Sequence, residues 1–103
     1  MKSVIYSSHL LFRLSFRGIP RTLPKRIFET SKERYFDTET LKFIAVKILK
    51  YKGKVREMAL IYEEDNEKVV LISIHPLKIL QKSNRIKSGR WTKYEKYAKN
   101  HSL

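Results

Sequence analysis

Hydrophobic positions near the start of the chain recur at helical spacing, and after residue 31 they switch to a period of two. Leu10, Leu11 and Leu14 make the first apolar stripe. Ser7 or Ser8 stands where a helix N-cap belongs, and Ile5 or Tyr6 just before it can serve as a hydrophobic staple. Gly18 suits a left-handed C-terminal cap, and Pro20 prevents the helix from continuing. Pro24 fits a first helical position, and Ile27 and Phe28 supply a short apolar face, which predicts a second helix over 23–29. Then "LKFIAVKILKY" alternates, with Ile44, Val46 and Ile48 on one side and Phe43, Ala45, Lys47 and Leu49 on the other. Lys52-Gly53 reads as a hairpin turn and "EEDNE" as a polar one. "KVVLISIHP" is a near-continuous apolar run ended by Pro76.

These patterns predict an α+β fold of one domain over residues 1–103. Two N-terminal helices pack on one face of a three- to four-stranded antiparallel meander, with strands over 42–51, 54–62 and 67–75 and a short one at 34–36. The core is expected over 5–80, with Leu77, Ile79 and Leu80 docking a helical turn on the sheet. Residues 81–103 read as a basic tail, broken at Ser88-Gly89 and carrying Tyr94 and Tyr97.

Charge changes the picture. Lys and Arg number 23 against 10 Asp and Glu, a formal net charge of +13. A folded domain with this balance meets a polyanion, either nucleic acid or an acidic protein, or it simply belongs to a Lys-rich proteome. The chain has no cysteine, which excludes disulfides, thiolate chemistry and cysteine-based zinc sites. One Gln and three Asn make it amide-poor, a composition that points toward a thermophile. No apolar run approaches the ~18 residues of a membrane span, and the N-terminal stretch lacks the apolar segment of a signal peptide; a cytoplasmic protein without membrane contact is expected.

Chemistry has few places to reside. His9, His75 and His101 are far apart and no carboxylate pair flanks them, so neither a metal nor another cofactor is expected. With glycine only at 18, 53 and 89 there is no phosphate-cradling loop. Two stretches remain. In "SSHLLFRLSFRGIP", His9, Arg13 and Arg17 are spaced by four and share a helix face. They form either a solvated stripe, with Arg17 complementing the helix dipole, or an anion-binding edge with an imidazole base. "HPLKILQKSNRIKSGRW" carries His75, Lys78, Lys82, Arg85, Lys87 and Arg90 without an acid. There Asn84 can meet a base edge and Trp91 can stack, as single-stranded RNA contacts require; the alternative is a solvated basic tail. His75 leaves a buried strand for a loop, a position held rigidly while facing a ligand.

"SHLLFRLSFRGIP", the following short helix and a meander ending "LISIHP" together resemble a small domain family of unknown function marked by His-x3-Arg-x3-Arg-Gly-Ile. That family is distantly similar in layout to RelE and BrnT toxins, which cleave RNA without a metal. The resemblance covers residues 7–91 and implies a role for His9, Arg13 and Arg17; it places no toxin catalytic residue on this chain.

Three functions are therefore open. In the first, a RelE-like endoribonuclease, His9 or His75 takes the 2′-hydroxyl proton, arginines stabilise the phosphorane, and a small acidic antitoxin covers the basic face. In the second the same residues bind nucleic acid, RNA before DNA, without turnover. A basic domain that binds an acidic partner protein is the third alternative.

Overall fold

A computed structural model describes residues 2–94. The chain runs β1 (Ser3–Tyr6), α1 (Ser8–Arg17), α2 (Leu23–Thr30), β2 (Glu33–Asp37), β3 (Lys42–Tyr51), β4 (Lys54–Glu64), β5 (Lys68–Pro76), α3 (Gln81–Lys87) and β6 (Trp91–Lys93). All six strands form one sheet in the order β1-β5-β4-β3-β2-β6. β1 runs parallel to β5, and every other pairing is antiparallel.

The expected three- to four-stranded antiparallel meander is thus corrected to a six-stranded mixed sheet with three helices. The central strands form where alternation predicts them. Lys52 (φ 51°) and Gly53 (φ 80°) are both left-handed, as a type I′ hairpin turn requires. The additional strands lie at the two edges and are too short to announce themselves. Ser3–Tyr6 becomes a strand because Lys68–Leu71 of β5 offers it backbone partners. Trp91–Lys93 does so by pairing with Tyr35–Asp37 of β2. The expected basic tail is also corrected in its first part: 81–93 contains α3 and β6. Leu77 docks as expected, but Ile79 and Leu80 are 94% and 67% exposed. The rest of the expected tail, 95–103 with Tyr97 and His101, lies outside the described residues. Among the described residues no helix is long and apolar enough to cross a membrane.

The sheet separates two apolar clusters. Leu10 and Leu14 of α1 and Ile27 and Phe28 of α2 cover one face, meeting Ala45, Tyr51, Met58, Leu60, Tyr62 and Leu71. Tyr35, Ile44, Val46, Ala59, Leu77 and Trp91 form a smaller cluster on the other face. Alternation accounts for both, except in β5. There Ile61 pairs with Ser73 and Tyr62 with Leu71, leaving Ile72 as a bulge. The extra residue reverses the alternation, so Ile74 joins Leu71 beneath the helices and His75 falls opposite Ala59.

A buried cation fastens α2 to the sheet. Arg34 is 2% exposed, and its guanidinium lies over the rings of Phe28 and Tyr62. It donates to the Tyr62 hydroxyl at 3.0 Å and to the Phe28 carbonyl. Burial raises the Tyr62 pKa, which keeps that hydroxyl neutral.

Candidate nucleic-acid interface

The first basic stretch forms α1. Ser7 Oγ accepts the Leu10 N–H at 3.0 Å and donates to the Ile72 carbonyl at 3.1 Å, so the cap also ties the helix to β5. Gly18 closes the other end in the left-handed conformation (φ 65°), with Arg17 in the last turn. With Leu10 and Leu14 inward, 100° steps carry His9, Arg13 and Arg17 progressively toward the core edge. His9 is exposed, whereas Arg13 and Arg17 are half-buried. His9 and Arg17 are two turns apart, about 12 Å along the axis, too far to converge on one phosphate.

Arg17 is near enough for its charge to act on His75, whose register opposite Ala59 sets it on the sheet face away from α1. The half-buried imidazole has its pKa lowered, first by burial and then by the Arg17 charge. Of the four residues expected in a catalytic role, only Arg17 acts electrostatically on His75; no hydrogen bond joins them, Arg13 is one turn behind Arg17, and His9 is at the far end of the stripe. The same helix presents a feature that polarity alone did not single out. Phe12 and Phe16 are 66% and 77% exposed, and their rings stack with centroids 6.0 Å apart.

The second basic stretch is largely occupied with holding the fold. Lys82 Nζ bridges Glu33 of β2 at 2.8 Å and Glu57 of β4, which pins α3 to the sheet face opposite α1. Burial alone would lower the Lys82 pKa, but the two carboxylates outweigh it and raise it. Glu33 also accepts the Tyr35 hydroxyl at 2.6 Å. Burial and that carboxylate push Tyr35 up to about 12. Arg90 lies 3.1 Å from Asp37 and 3.6 Å from Glu39. Trp91 is buried (4% exposed), stacks on Tyr35, and donates its indole N–H to Asp37. It therefore has no free face for a base. Lys78, Asn84 and Lys87 remain exposed and Arg85 half-buried. The sheet separates this group from α1.

Charge is sorted along the strand axis. The β2–β3 and β4–β5 turns lie at one end of the sheet and the β3–β4 turn at the other. Six of the chain's ten acidic residues, Asp37, Glu39, Glu63, Glu64, Asp65 and Glu67, are in or beside the first two turns. Cations meet them there, as Lys2 does Glu64 at 2.6 Å and Lys42 does Glu63 at 3.2 Å. The opposite pole holds Lys50, Lys52, Lys54 and Arg56 of the hairpin, and Arg17 acts on His75 near the end of β5. None of these five forms an ion pair among the described residues. A groove of about 670 Å³ between α1 and α2 is lined by Arg21, Lys25 and Arg26 against one carboxylate, Glu29. Among the described residues, no three His, Asp or Glu side chains converge on a metal-sized site.

No family model, no curated protein and no solved structure matches this chain.

Proposed function

We propose that this protein binds RNA, gripping the phosphate backbone with the basic pole formed by the β3–β4 hairpin and the C-terminal end of α1. The observation that carries this reading is the sorting of charge. Six of the ten acids gather at one end, several with partner cations, while Lys50, Lys52, Lys54 and Arg56 of the hairpin, and Arg17 of α1, stand without ion pairs among the described residues. Uncompensated cations on a rigid hairpin release condensed counterions when they meet phosphates, which supplies affinity without sequence preference. The test is titration of a labelled RNA across a range of salt. Affinity falls steeply with salt, and Lys52→Gln/Lys54→Gln lowers the salt slope by about 1.4 if both lysines contact a single strand. Lys68→Gln at the acidic end changes it little. Undetectable binding of the wild type at low salt overturns the reading.

A second reading is metal-independent RNA cleavage, favoured by a half-buried His75 whose pKa is lowered by burial and then by the Arg17 charge. A neutral imidazole can accept the 2′-hydroxyl proton while the guanidinium stabilises the phosphorane. Cleavage of labelled RNA in EDTA, lost in His75→Ala, supports it. Intact RNA with the wild type leaves a binding protein. A small acidic antitoxin would cover the same basic pole.

A further inference from the structure

Phe12 and Phe16 are unexplained by the fold. Both are on α1, one turn apart, 66% and 77% exposed, and they belong to neither apolar cluster. Their rings stack on each other at an interplanar angle of 19°. An aromatic pair at this spacing steadies a helix only slightly, a gain that Leu or Met would also provide. Contiguous exposed apolar surface of this kind marks a contact site.

Its surroundings say what the contact is. Going round the helix from the buried side, Arg17 comes first, then Arg13, then His9 and Phe16, then Phe12. Cations therefore line the aromatic pair on one flank, and the α1 N-terminus contributes no acidic residue in its first turn. Flat, exposed rings beside guanidiniums are what an unpaired nucleotide needs, with stacking for the base and charge for its phosphate. A duplex cannot use such a platform, because its base faces are already covered by one another.

We propose that Phe12 and Phe16 form a stacking platform for unpaired bases, with Arg13 and Arg17 holding the adjoining phosphates, so that single-stranded nucleic acid is the preferred ligand. This rests on the nucleic-acid reading above and names the form of the ligand. Trp91, the aromatic that the sequence offers for stacking, is buried, and the α1 pair takes that role.

The experiment compares three fluorescein-labelled probes at one salt concentration: a twelve-nucleotide oligo-uridine RNA, its oligo-thymidine DNA counterpart and a duplex of equal length. The wild type is expected to favour the single strands. Phe12→Leu/Phe16→Leu, which keeps a helix-forming apolar pair, should weaken single-strand binding about 10-fold and leave duplex binding unchanged. Arg13→Gln/Arg17→Gln should weaken both. Independently of any variant, the ring protons of Phe12 and Phe16 in the wild type should move upfield when oligo-uridine is added. If the wild type binds nucleic acid but shows no single-strand preference, no loss in the Phe variant and no ring shift, the platform is overturned and the basic-pole reading stands. If it binds none of the probes, both fall. Phe-dependent partition to phosphatidylserine vesicles without oligonucleotide binding, or a Phe-dependent dimer, overturns the platform in favour of a lipid surface or a second copy of the chain.

Discussion

The Asp37 carboxylate accepts the Trp91 indole N–H at 3.3 Å, in a register that pairs the two residues across β2 and β6. The same carboxylate takes Arg90 Nε at 3.1 Å and the Glu39 and Thr40 amides at 2.9 and 3.1 Å. One buried acid thus closes the β2–β3 turn and seats the edge strand.

Asp37→Ala is therefore expected to cost about 3 kcal/mol, since it strands an indole N–H and leaves a guanidinium without its main partner. Asp37→Asn should cost less, because the amide oxygen still accepts. Trp91 is the only tryptophan, so its fluorescence in a urea titration reports both the loss and its location. An Asp37→Ala midpoint equal to that of the wild type contradicts this account.

Acid stability follows from the same group. Burial alone raises the Asp37 carboxyl, but hydrogen bonds from Arg90 and the two amides outweigh it and lower the pKa from 3.8 to about 2. A depressed folded pKa gives stability that is present above the unfolded value and lost as pH falls through the folded one. The wild type should therefore lose stability between about pH 4 and pH 2, and Asp37→Asn should lose less over that window. Equal slopes in acid denaturation of the two proteins would rule out Asp37 as the source.

How far this was legible in the sequence depends on where each residue's partner lies. The β3–β4 hairpin needed only its own alternation and Lys52-Gly53, and α1 carried its own cap and stop in Ser7 and Gly18. β1 was illegible because its parallel partner begins at Lys68, and four residues have no period of their own. Lys82, Arg90 and Trp91 read as nucleic-acid contacts because the local stretch holds no acid. Their partners Glu33, Glu57 and Asp37 come from other strands of the sheet. Phe12 and Phe16 were visible as letters in the first motif, but only the packing of Leu10 and Leu14 shows that they face outward.

The attachment of α3 yields a local prediction. α3 buries none of its own residues and has no side-chain N-cap, so its place depends on Lys82. These ion-pairing groups are 26–33% exposed, which limits the global cost of Lys82→Met to about 1 kcal/mol. The local effect should be larger. Glu33 and Glu57 lose the cation between them, and residues 77–90 should become the first site cut in limited proteolysis. If cleavage in that segment is no faster than in the wild type, Lys82 is not the latch.

His75 titrates below its ordinary 6.5, first because it is buried and second because Arg17 is near. Protonation therefore favours the unfolded chain: the contribution of His75 to stability is full above about pH 6.5 and declines as pH falls through the depressed value. Replacing Arg17 by Gln removes the charge and leaves the burial. The His75 pKa, followed by its ring-carbon proton in NMR, should then rise part of the way toward 6.5. A bound phosphate should push it the same way, since an anion held by Arg17 favours imidazolium. Titrating the wild type with a short oligonucleotide, and Arg17→Gln without one, separates the two contributions. If neither moves the His75 resonance, Arg17 and His75 do not share an anion site, and the basic pole ends at the hairpin.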